Sequence, residues 1–422
     1  MFRHLAIALL VSIAAQIAPL EAVSGPEQTV ERVRGLKFER PVIRKSIARS
    51  DLRAFLQKQL DADLPYSPEE YIDILRALHL LDEVEDPMGR LYSLYETQAL
   101  AFYDPRTHTY YSMDAPPGED GSSVPEDAVE IHELAHALQD QRFGIGAKLE
   151  AVRLNWDAAM AYQALLEGEA TLVMMASLYE GIGLDFDSIV RDDSFLTLLT
   201  AASTHTVGIP EGTPLYFVES MSFPYIDGLR FVIHAYRTGG WKAVDRLHEN
   251  PPRSTLEIMN PAIYGSAGGR RQIEQGTAGS GEAGPLLVTT LGAFHWKFLL
   301  GEQAASGWKS DRVEVRKGPD GGLTVLGEAG WKTSADAAEF VAALREKWKA
   351  EGVIGKISVN GAVVRFGYGP DGNALERFLG PAPATVPAPP ARRPSSGEER
   401  PRNPPSEEQI GPAPPLASLL LE

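Results

Sequence analysis

Apolar positions recur at Ala128, Ile131, Leu134, Ala135 and Leu138, the three-four spacing of one helix face. Just before them, Ser123-Val124-Pro125-Glu126 reads as a capping box with a proline in the first turn, and Gly144 and Gly146 can end the helix. A second, longer helical pattern runs from Leu149 to Glu180 and is closed by Gly181 and Gly183. A third, with Leu229, Phe231, Val232 and Ile233, follows Pro224 and stops at Gly239-Gly240. Leu287 to Leu300 reads as a buried helix. Upstream, Ser50 caps a helix over Asp51 to Leu60, and Ser67 with Pro68 and Glu70 opens another over Glu69 to Leu81. Ser254-Thr255-Leu256-Glu257 is a further capping box.

Strand patterns are fewer. Leu100 to Met113 predicts a hairpin, with Ala101-Phe102-Tyr103 and Thr109-Tyr110-Tyr111 about a turn at Asp104-Pro105-Arg106-Thr107. Near the C-terminus, Val313–Arg316 and Leu323–Leu326 flank a glycine-rich turn. Ser334 caps a helix to about Trp348, and Ile357–Val359 and Ala362–Val364 flank Asn360-Gly361. Gly265 to Gly284 reads as a mobile, glycine-rich loop. Five regions follow: a signal peptide over 1–24, an α-rich lead-in over 25–95, a catalytic body over 96–300, a small α+β module over 305–372, and a disordered Pro-rich tail over 381–422.

Arg3 and His4, the apolar run Leu5 to Leu20, and Ala22-Val23-Ser24 are the basic, apolar and small-residue parts of a secretory signal, so the protein is expected to be secreted or periplasmic. Gln16 and Pro19 interrupt the apolar run, which argues against stable membrane insertion. The chain has no cysteine, so stability must come from burial, and 44% apolar residues suffice for a sizeable core. Its 40 basic and 57 acidic residues give a net charge of −17, which argues against a nucleic-acid partner.

The chemistry concentrates in His132-Glu133-Leu134-Ala135-His136, although the chain has only 9 histidines in 422 residues. On a helix, residues four apart stand on one face, so both imidazoles can reach one metal ion, and Glu133 stands where it can deprotonate a water. A catalytic zinc needs a third protein ligand and leaves a position open. Leu166-Glu167-Gly168-Glu169-Ala170 supplies two candidates; Glu167 and Glu169 are two apart and point to different faces, so one of them is expected to bind. Gly168 inside a helix costs about 1 kcal/mol and is better tolerated where another backbone comes close, as at a crossing with the motif helix. His79, His108, His205, His234, His248 and His295 stand without metal spacing and are read as surface or satisfied core residues.

These residues resemble zinc peptidases of the gluzincin group, above all the aminopeptidase-N-like and leukotriene-hydrolase-like enzymes, in which H-E-x-x-H is followed by a helix bearing E-G-x-A. The resemblance implies a mostly helical, thermolysin-like zincin domain with a small edge sheet. It makes Glu167 the third ligand of one Zn2+ and Glu169 the reserve. It also matches Pro224-Tyr225-Ile226-Asp227-Gly228 to a P-Y-x-x-G segment that opens a helix, which makes Tyr225 the oxyanion donor. The hairpin would lie at the edge of a sheet beside the cleft, where a peptide adds as a strand. The chain departs from that group in two ways. The stretch from Ala137 to Leu166 is longer than the family's, and the G-A-M-E-N segment of the aminopeptidases is missing, which counts against exopeptidase action. Ala101–Pro105, Pro251–Thr255, Gly307-Trp308 and Asp311-Arg312 are similar to predicted bacterial and archaeal secreted peptidases of unassigned substrate.

The expected protein is therefore α+β, a zinc-dependent peptidase acting on a peptide or protein substrate, with His132, His136 and Glu167 as ligands, Glu133 as general base and Tyr225 as oxyanion donor. The alternatives are a non-catalytic zinc-binding periplasmic scaffold, which would have no use for Glu133, and a hydrolase of a non-peptide amide or ester.

Overall fold

The computed structural model describes residues 25–113, 126–192, 194–195, 209–265, 276–279 and 284–380. The expected signal peptide, the Ser123 cap, His205 and the Pro-rich tail lie outside them.

Three helices frame the centre. α5 (Glu126–Phe143) carries the histidines, α7 (Trp156–Gly181) the paired glutamates, and α9 (Leu215–Glu249) the tyrosine. α5 and α9 each pack on α7, and α1 (Pro26–Arg34) lies against both α5 and α7. On α5 the predicted apolar stripe is buried, but so are His132, Glu133, His136 and Gln139 on its other faces. The helix is thus buried well beyond its apolar stripe.

Several expectations are corrected at element ends. The pattern from Leu149 to Glu180 is two helices, α6 (Ile145–Val152) and α7, because Asn155 takes an extended conformation and its side chain accepts from the Ala158 amide as a cap. Pro224 does not open a helix: it lies inside α9, whose real break is at Gly239 and Gly240, the latter at φ 61°. Ser50 is not a cap, since α2 (Arg49–Asp63) starts after Ala48. Ser67 does form a capping box with Glu70 at the head of α3 (Pro68–Ala77), and Ser254 caps α10 (Thr255–Met259). α4 (Pro87–Gln98) precedes the hairpin, and the short α8 (Phe186–Arg191) follows α7.

The predicted hairpin is β2 (Ala101–Asp104) and β3 (Thr109–Met113). An unforeseen strand, β1 (Ile43–Ile47), pairs parallel with β3 and makes it the central strand, so β2 is the hairpin arm left at an edge. Asp140 of α5 accepts from the Tyr103 hydroxyl at 2.9 Å and pairs with His108 Nδ1 at 2.6 Å, which fixes the hairpin to the motif helix.

The C-terminal hairpins form as read: β6 (Trp308–Lys317) with β7 (Leu323–Trp331), and β8 (Gly355–Asn360) with β9 (Val363–Tyr368) around Asn360-Gly361. Their sheet begins earlier than residue 305. β4 (Thr277–Ala278), inside the glycine-rich stretch, and β5 (Leu287–Thr289) extend it to six antiparallel strands in the order β4-β5-β6-β7-β9-β8. The helix expected from Leu287 starts only at Gly292 (α11, Gly292–Leu300), since Leu287–Thr289 is drawn into the sheet; α12 (Glu302–Ala305) follows it. α13 (Ser334–Glu351), capped by Thr333 rather than Ser334, packs on this sheet, and α14 (Gly372–Leu379) ends the described chain. Asp311 ties sheet to helices, accepting from the Leu291 and Gly292 amides and from Nε1 of Trp296 and Trp308.

Candidate metal centre

The four-residue spacing on α5 brings His132 Nε2 and His136 Nε2 to 3.2 Å from each other, and Glu167 Oε2 of α7 lies 3.2 Å from each. An ion held tetrahedrally at about 2.0–2.1 Å keeps its ligand atoms about 3.3–3.4 Å apart. The three atoms are thus spaced as ligands of one ion. All three side chains are buried.

Electrostatics point the same way. Burial alone would make His136 harder to protonate, yet the adjoining Glu167 carboxylate overrides it and raises the imidazole to about 9. His132, buried equally, shifts the other way, downward. A buried carboxylate facing two ring nitrogens demands one positive charge, a proton or a cation, at their meeting point. The set of two imidazoles and one carboxylate fits zinc.

The ring orientation is held from outside. His136 Nδ1 donates to Gln139 Oε1 at 2.9 Å, which leaves the Nε2 lone pair facing inward. Gln139 cannot turn, because its Nε2 donates to Leu166 O and to Glu169 Oε2, both at 3.0 Å. Glu169, the reserve candidate, therefore faces away from the histidine nitrogens. It receives Arg34 Nε at 2.6 Å and pairs closely with His248 Nε2. Burial would raise the Glu169 carboxyl, but the Arg34 and His248 charges pull it down to about 2. Arg34 also reaches Asp245 of α9 at 2.8 Å and stacks over Trp241. A side chain of α1 thereby clamps α7 to α9 beneath the site.

Glu133 is fully buried, and neither carboxylate oxygen completes a well-formed hydrogen bond. Burial pushes its pKa up to about 8, with His136 opposing and Glu167 adding, while the Tyr103 backbone pulls down weakly. Tyr225 stacks beside His132 with ring centres 6.0 Å apart, and its hydroxyl interacts with Glu167 and feels the Glu133 charge. Burial drives that phenol well above its ordinary value, so it stays a donor.

All five expected site residues thus converge. The other described histidines have other occupations: His248 and His108 pair with carboxylates, His79 pairs with Glu351, His234 is exposed, and His295 lies buried between Leu291 O and the Tyr216 hydroxyl. Arg34 and Gln139 are site-supporting residues that the sequence reading passed over, and His248, read there as a surface or satisfied core residue, is a buried one paired with Glu169. Gln139, three residues after His136 on the same helix face, was the readable one.

No protein-family model matches this chain, no curated protein matches it, and no solved structure matches it.

Proposed function

We propose that the chain is an exported zinc-dependent metallopeptidase of the gluzincin type, with a thermolysin-like catalytic body. The observation that carries the reading is the triangle of His132 Nε2, His136 Nε2 and Glu167 Oε2 beside a buried carboxylate, Glu133, whose oxygens complete no well-formed hydrogen bond. A purely structural metal site gives Glu133 no reason to be there, since a lone buried carboxylate costs stability. Export is supported by the basic, apolar and small-residue pattern before Gly25. Among the described residues, no helix is long and apolar enough to cross a membrane.

His132, His136 and Glu167 would hold the ion, which when bound supplies a Lewis acid for the scissile carbonyl and makes water more acidic. The remaining steps belong to the chain. Glu133, a buried carboxylate adjoining the ligand set, takes the proton of the attacking water and passes it to the leaving amine. The Tyr225 hydroxyl, kept protonated by burial, donates to the developing oxyanion. Gln139 keeps His136 in the tautomer that presents Nε2. No described strand pairs with the outer edge of β2, and the Tyr103 backbone adjoins Glu133, so an extended peptide added there would pass the site.

The test is Glu133→Gln, assayed on a peptide library with zinc content measured in parallel. Hydrolysis should fall by about 10²–10⁴-fold with zinc retained. Parental turnover in the variant would remove Glu133 from the mechanism.

A further inference from the structure

Beside Tyr225 the molecule holds a cavity of about 120 Å3. Its floor is made of buried rings, Tyr71, Tyr216, Tyr225 and His295, and its mouth of half-buried Trp156 and Met160. Trp156, Met160, Gln163 and Glu167 are spaced four, three and four apart, so they form one stripe along α7. The mouth of the cavity lies on the N-terminal part of this stripe, and the metal-site carboxylate stands further along it. At 1.5 Å of rise per residue, Gln163 stands about 6 Å and Met160 about 10 Å from Glu167 along the axis. Tyr225 bridges the interval, its ring in the cavity wall and its hydroxyl on Glu167.

The chemistry of the lining selects an occupant. A cavity of about 150 Å3 is known to take a benzene ring, so this one suits a single ring or a leucine-sized branch. The Tyr216 hydroxyl is satisfied by His295 at 3.1 Å, and burial depresses His295 to about 4, leaving it neutral. The lining has two charged residues, and both are paired: Arg153 with Glu150 at 2.9 Å and Asp63 with Arg106 at 3.0 Å. Two of the lining rings, Tyr71 and Tyr95, come from the lead-in helices α3 and α4, which gives that region a part in the site.

We propose that this cavity receives an aromatic or large branched apolar side chain of the substrate, next to the bond that is cut. The proposal rests on the peptidase reading and names its substrate class.

The test compares kcat/KM on two peptides that differ only in Phe or Ala beside the cut bond. The wild type should favour Phe by about 10–200-fold. Ala159 lies at the half-buried mouth, so Ala159→Phe should fill the cavity and cut the Phe-to-Ala ratio at least tenfold. Met160→Ala, which enlarges the mouth, should shift the preference toward Trp and serves if the first variant does not fold. A wild-type ratio near one, or ratios unmoved in both variants, overturns the pocket while peptide cleavage itself stands. If no peptide is cut, the peptidase reading fails on its own, and ligand-observed NMR with N-acetylphenylalaninamide then decides the pocket. Binding to the wild type that is weakened by Ala159→Phe supports it; equal binding to both, or none, overturns it.

Discussion

Gly168 of α7 and Gly228 of α9 pack backbone against backbone where the two helices cross: a Cβ on Gly168 would strike the carbonyl of Gly228, and one on Gly228 would strike the carbonyl of Ala164. The neighbours of these glycines are the functional ones. Glu167 precedes Gly168, and Tyr225 lies three residues before Gly228 on the same helix face. The contact that two hydrogen side chains allow is what sets the tyrosine against the carboxylate.

Gly168→Ala should therefore push the helices apart. We expect a loss of about 1–3 kcal/mol, the usual cost of overpacking, with zinc affinity falling alongside. Urea unfolding and a chelator competition measure the two. Unchanged values in both would show that the close approach is dispensable.

Arg34→Met should cost about 3–5 kcal/mol, because it leaves the Glu169 carboxylate buried with its principal counter-charge gone. Adding Glu169→Gln should restore part of that loss, and denaturant midpoints of the single and double variants check it.

Gln139→Leu leaves His136 Nδ1 without its acceptor. Zinc affinity should drop about 10–100-fold, read by competition with a chromophoric chelator, and the cobalt(II)-substituted spectrum should change.

Asp157, buried at the head of α7 against Thr255, has its carboxyl raised to about 8, mainly by burial. A carboxyl raised on folding contributes stability that is complete below its unfolded value near 4 and is lost as pH rises toward 8. Asp157→Asn should remove this dependence. Its melting temperature should gain on the wild type from pH 4 to pH 8, and a constant difference would contradict the assignment.

Much of the centre was legible because it is local. His132, Glu133 and His136 share one turn of one helix, and the hairpins at Asp104–Thr107 and Asn360-Gly361 announce themselves in their turn residues. Gly168 was read as a point of close approach, but to the wrong partner: it meets α9 rather than the motif helix, since nothing in a helix pattern says which neighbour will cross it. The helix start at Pro224 came from the likeness to a P-Y-x-x-G segment; in the structure the helix begins nine residues earlier, at Leu215, and runs through the proline. Leu287–Thr289 was read as helix because a short apolar run looks alike in either state, and its pairing with Val313–Val315 decides it. The Arg34–Glu169 pair joins residues 135 apart in the chain and has no local signature.

The most direct measurement is a calorimetric titration of zinc into the chelator-stripped chain and into its His132→Ala/His136→Ala variant. One zinc per wild-type chain, and none at that site in the variant, is the predicted result. Failure of the wild type to bind zinc, or equal binding by the variant, would contradict the assignment of the centre.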